Sequence, residues 1–154
     1  WLWMAKRKIE TNTIIKFGLA FLFLAGGFWI FYYTKFFADA SGRTSLDLFT
    51  FGWFIITFGE LCLSPIGMSA MTKLSPQKTQ AVIMGMWFLA SAYGQYFAGI
   101  LGANIAKASK HATNLEKLNT YADGYYQLAI YALIAGVVLI VISPLVKKLM
   151  QDVK

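Results

Sequence analysis

Apolar and polar positions fall into separate blocks along this chain. Apolar runs at about Thr13–Tyr33, Leu48–Met71, Ala81–Ala106 and Tyr125–Val146 are divided by short polar linkers. Each run holds roughly twenty residues or more, which at ~1.5 Å rise per residue crosses a hydrocarbon layer of about 30 Å. The pattern predicts an all-α membrane protein with four transmembrane helices. A soluble bundle is excluded because its helices would carry polar residues on their outward faces, and here such residues sit almost wholly in linkers and ends. Residues 1–12 read as the end of a preceding helix and a cytoplasmic loop. Residues 13–148 then form the helical body, and 149–154 a cytoplasmic tail.

Composition agrees, with 58% apolar, 17% aromatic and only 14% charged residues, against about a quarter charged in a soluble domain. The formal charge of +7 does not point to nucleic acid, because the basic residues are scattered over helix ends without an aromatic-interleaved patch. They are informative about orientation instead. Lys6, Arg7, Lys8, Lys73, Lys78, Lys147, Lys148 and Lys154 fall on one side, with Lys16 able to snorkel there, and Lys35, Arg43, Lys107, Lys110 and Lys117 on the other. The richer side faces the cytoplasm, so both termini are expected there in a multi-pass cell-membrane protein. Trp29, Tyr32 and Tyr33, with Tyr121, Tyr125 and Tyr126, supply an aromatic belt at the outer border. Pro144 and the lysines after it are expected to end the last span. Trp1-Leu2-Trp3-Met4 lacks the basic start of a signal peptide. Cys62 is the single cysteine, and His111, in a polar outer loop, reads as an ordinary exposed histidine.

The second run breaks the pattern. Glu60 lies twelve residues inside it, near the bilayer midplane, where an acid costs at least ~2.5 kcal/mol. Neither an arginine nor a well-placed lysine lies within reach along these helices, so the acid must be protonated, hydrated or matched by a cation from elsewhere. Five residues on, Pro65 frees the Leu61 carbonyl, with Gly59 and Gly67 on either side. A bent or loosened turn is expected there, the kind of broken helix that lines a transporter cavity and serves as a gate. Ser64, one turn from Glu60, shares its face. A bland reading competes: a packing kink at Pro65, a Ser64 hydroxyl bonded back to its own helix, and Glu60 as half of an interhelical hydrogen bond.

A second stripe, Trp87, Ser91, Gln95, Ala98 and Gly102, recurs at helical spacing in the third run, with Gly94 beside it. It reads either as a packing seam or as a cavity wall. No phosphate loop, metal-spaced His or Cys set, or carboxylate pair is present in the sequence, so catalysis is not expected and no cofactor is called for.

The runs FGELCLSPIGMSAMTKLSP (Phe58–Pro76) and QAVIMGMWFLASAYGQYFAGILG (Gln80–Gly102) resemble the tenth and eleventh helices of the proton-dependent oligopeptide transporters, the peptide branch of the major facilitator superfamily. The resemblance implies the last four helices of a major facilitator bundle, in a proton-coupled symporter of di- and tripeptides working by alternating access. It implies that Glu60 binds the peptide amino terminus and that Ser64, Trp87 and, less directly, Phe88 line the same pocket. Gln95 stands where the family commonly has asparagine. The family's E-x-x-E-R motif and the lysine partner of its glutamate belong to N-terminal helices that this sequence does not contain, so those helices are expected partners, with the proton as coupling ion. Two alternatives stay open at this point: a small four-helix proton/drug antiporter acting as a dimer, and a non-transporting membrane subunit.

Overall fold

A computed structural model describes residues 13–105 and 113–149. The expectations for residues 1–12, for Lys107, Lys110 and His111, and for the tail beyond Leu149 lie outside them. Helix α1 spans Thr13–Tyr33 and runs on into a 3-10 turn at Thr34–Phe37; α2 spans Leu46–Leu74, α3 Gln80–Ile105 and α4 Asn114–Leu149.

Helix α1 is the centre of the bundle, packed along both α2 and α4, whereas α3 joins the end of α2 and barely touches α4. Close approach is made by small residues. A Cβ built on Gly136 would stand 3.0 Å from the Gly18 carbonyl oxygen, and one on Gly18 3.1 Å from that of Gly136, so α1 and α4 cross there backbone to backbone. Helices α1 and α2 meet in the same way at Gly27 and Gly52. Ala20, Ala25, Ala122, Ala129 and Ala132 are buried along these seams. Lipid tails are as apolar as leucine, so it is tight van der Waals contact rather than the burial of large apolar groups that draws such helices together.

Toward the predicted outer end, one ring replaces the small residues. Phe31 is 3% exposed, stacked on Phe49 of α2 at 4.8 Å and tilted against Tyr125 of α4 at 5.1 Å between ring centroids. Just beyond it, Lys35 Nζ lies 3.3 Å from Asp123 Oδ1 on α4 and 4.1 Å from the centre of the Tyr32 ring.

The loop after this pair is tied by one carboxylate. Asp39 Oδ1 accepts from the Ser41 hydroxyl at 2.7 Å and from the Ser41 and Arg43 amides at 2.9 Å each. The Ser41 hydroxyl bond, then the Arg43 amide bond, hold the Asp39 carboxyl below its ordinary range. The turn is completed by Gly42 at φ 77°, a backbone region costly to any residue with a Cβ.

Two expectations are corrected. Helix α4 begins at Asn114, eleven residues before the expected Tyr125. Thr113 and Glu116 form a capping box there: the Glu116 amide donates to Thr113 Oγ1 at 3.3 Å, and the Thr113 amide to Glu116 Oε2 at 2.8 Å. The apolar run marked only the part of the helix suited to lipid. Nor does Pro144 end α4, which continues to Leu149; an interior proline removes one donor, and the neighbouring bonds carry the helix across the gap. All four expected helices are present; three of them are long and apolar enough to cross a membrane by composition alone, at Thr13–Phe37, Leu46–Leu74 and Asn114–Val146. Helix α3 has the length, but Gln80, Ser91, Tyr93, Gln95 and Tyr96 make it more polar. That composition suits a helix facing protein or water more than lipid.

Candidate functional site

Helix α2 turns its buried residues Gly52, Ile56 and Gly59 toward α1. At about 100° per residue, Glu60 and Ser64 then fall on a neighbouring stripe, beside the contact with α1 rather than in it. Both are exposed. Among the described residues, Glu60 makes no ion pair or hydrogen bond. The described bundle has one salt bridge, at Lys35 and Asp123, well away along the sequence. Nor does Ser64 bond back to its helix. Thr57, Thr72 and Ser91 do so, to the carbonyls of Trp53, Met68 and Trp87 at 2.9, 2.9 and 3.0 Å. The back-bonded reading of Ser64 therefore fails, and its hydroxyl remains available on the Glu60 face.

The expected helix break is absent as an interruption: α2 is continuous from Leu46 to Leu74 with Pro65 inside it. The two glycines serve contact instead. Gly59 takes α1, where an added Cβ would lie 2.9 Å from the Ala20 carbonyl oxygen. Gly67 takes α3, where an added Cβ would run into the indole of Trp87. Pro65 itself is exposed, so its ring displaces no neighbour.

Helices α2 and α3 close on each other at one end only. Gln80 Nε2 donates to the Thr72 carbonyl at 3.1 Å, and Thr72 Oγ1 lies 3.7 Å from Met84 Sδ. Trp87 on Gly67 is the next contact up. Beyond it the helices part: residues 88–104 of α3 are all exposed, and Cβ atoms built on Gly94, Gly99 and Gly102 would meet nothing within 4 Å. Among the described residues, the small-residue stripe of α3 is thus not a packing seam. The result is an open wedge with Trp87 at its floor. Ser64 and Glu60 lie up its α2 wall, Glu60 seven residues from Gly67, or about 10 Å at ~1.5 Å per residue. Phe88, next to Trp87 in sequence and so about 100° round the helix, is 60% exposed.

What the wedge offers chemically is an anion, a hydroxyl and a flat apolar ring within the span of a few residues of extended chain. A cavity of about 390 Å³ lies at the opposite end of α3, lined by Asn104, Thr120, Asp123, Gln127 and Tyr131 among others. It contains none of the residues singled out from the sequence. Asp123 is the functional-looking group that sequence reasoning passed over, since no local pattern announces a partner 88 residues away.

Comparison with known proteins decides the family. The PTR2 model of the POT family matches residues 2–122. The chain belongs to the POT family. Among POT relatives, it is 33% identical over 99% of its length to the peptide transporter YePEPT of Yersinia enterocolitica, covering 29% of that protein. It is 30% identical over 99% of its length to a di-/tripeptide transporter of Lactococcus lactis subsp. cremoris, again covering 29%. The chain therefore spans under a third of the curated POT relatives it matches. A solved structure of a bacterial homologue of the human drug peptide transporters superposes with a TM-score of 0.72 at 28% identity, over 88% of this chain and 28% of that one. A second, from a study of substrate recognition in proton dependent oligopeptide transporters, has a TM-score of 0.72 at 25% identity, over 96% and 31%. The four helices are accordingly part of a POT transporter bundle, and the family is one of transporters rather than enzymes.

Proposed function

We propose that the chain is the C-terminal part of a proton-coupled di- and tripeptide symporter of the cell membrane, with both its ends in the cytoplasm. It contributes the wall of the central cavity that holds the peptide amino terminus. The observation that carries this reading is Glu60: an exposed carboxylate, well inside an apolar helix, without an ion pair among the described residues. A carboxylate in that setting is costly until a cation meets it, and a peptide ammonium is such a cation. Ser64 adds an acceptor one turn along, Trp87 a flat apolar floor for side chains of varied size, and Phe88 a second ring near the rim.

Coupling to protons and alternating access need the rest of the transporter, since a single wall can neither close a cavity nor open it on two sides. In this reading, the α2–α3 hairpin, closed at its Trp87 end and open beyond, is the part that moves. Pro65, flanked by Gly59 and Gly67, is the point at which α2 gives, by bending rather than by unwinding. Membership of the POT family is the reason to prefer this to a small drug antiporter or a non-transporting subunit.

The test is uptake of labelled Ala-Ala by the full-length transporter in proteoliposomes under an inward proton gradient. Glu60→Gln should reduce uptake severely while leaving the protein folded and inserted. Uptake by that variant at parental rate and affinity would refute the assignment.

A further inference from the structure

We propose that Gly67 is a positioning residue for peptide selectivity: it is the seat that fixes how far the Trp87 indole projects into the wedge, and hence how much room remains for a peptide side chain. This rests on the reading of the wedge as the peptide site.

Gly67 is buried, in a chain whose α3 glycines, Gly85, Gly94, Gly99 and Gly102, have open space where a Cβ would be. What buries it is the indole: the three atoms nearest an added Cβ all belong to the Trp87 ring, with Cζ2 at 2.7 Å and Cζ3 at 2.9 Å. The ring has little freedom to sink further, because the α2 backbone lies beneath it. Nor can the hairpin readily open to relieve a clash. Its register is fixed just below by the Gln80 bond to the Thr72 carbonyl and by the Thr72 and Met84 contact. A methyl group added at residue 67 must therefore be accommodated by the indole moving away from α2, toward the space where Glu60 and Ser64 face the substrate. The carboxylate lies about two turns away and keeps its place, so binding of the amino terminus is not the property that changes. Room for the side chain is.

The experiment compares kcat/KM for Ala-Ala, Ala-Phe and Phe-Ala in the full-length transporter. Gly67→Ala should lower kcat/KM for at least one Phe-containing peptide by about tenfold relative to Ala-Ala, the scale at which pocket size discriminates. The change should appear mainly in KM. Trp87→Phe, which shortens the ring, should restore the parental ratio when combined with Gly67→Ala. If Gly67→Ala alone fails to reach the membrane, the double variant should recover both yield and ratio. An unchanged ratio in Gly67→Ala, an equal loss for all three peptides, or failure of Trp87→Phe to compensate would each overturn the inference. Glu60→Gln separates it from the reading beneath: that variant should depress all three peptides alike, and parental uptake there would sink the peptide site itself.

Discussion

Glycine is used in opposite ways in two parts of this bundle. Where α1 crosses α2 and α4, the glycines are filled sites, with a neighbouring backbone oxygen or side chain where a Cβ would be. On α3 beyond Trp87 they face open space. The charges divide in the same way. Asp123 is paired with Lys35 beside the α1–α4 seam, and Asp39 is tied into its own loop; Glu60, on the wedge, has no such partner among the described residues. The α1 seams are finished within this chain, while the wedge presents groups whose complement comes from outside it. A residue that packs loosely here is thus a candidate for function, because a membrane bundle gains its stability from close contact and forfeits it wherever a cavity is kept open.

That contrast can be broken by mutating both sides. The largest expected effect is on the wedge: Glu60→Gln should cut dipeptide uptake about thirtyfold or more, as for loss of one member of a desolvated charge pair. Asp123→Asn, in the finished region, should leave uptake within about twofold; a comparable loss in both would erase the distinction.

Next come the seams. Gly27→Val and Gly136→Val should each destabilise the bundle by about 1–3 kcal/mol through overpacking, seen as a lower thermal midpoint of this chain in detergent. Gly94→Val and Gly102→Val should leave that midpoint near the parental value. Equal shifts at all four sites would show that α3 packs against this chain after all.

A smaller effect is expected from Lys35→Met, which removes an ion pair exposed on its Asp123 side. The midpoint should fall slightly, and the fall should vanish in an Asp123→Asn background if the pair is what matters.

The smallest lies in the Asp39 loop. Its carboxyl titrates below the unfolded value, so its contribution is fully present above the ordinary aspartate range near pH ~4 and is lost as pH falls through the lowered value. Amide exchange at Ser41 and Arg43 should accelerate only in that acidic window, and Asp39→Asn should abolish the pH dependence.

Much of this was legible beforehand, for reasons that can be traced to particular residues. Glu60 stood out because an acid amid apolar residues is improbable without a purpose, and its depth follows from counting at a fixed rise. Thr113 and Glu116 were legible too, as T-x-x-E, yet the early start of α4 was missed because hydropathy marks the lipid-facing stretch and not the helix. Pro65 lies inside a continuous helix of 29 residues, so the loosened turn expected there does not interrupt the helix. Membership of the POT family was carried by the GEL, SP and WFL segments together.

The sequence by itself determined the four helices and the place of the acid within an apolar one, because both depend on short-range periodicity along a single segment. Only the tertiary structure decided which glycines are filled and which are open, that Lys35 meets Asp123, and that Trp87 rests on Gly67. Those are contacts between helices, fixed by how backbones cross at a few ångströms, and the spacing of residues along one helix does not encode what stands opposite it.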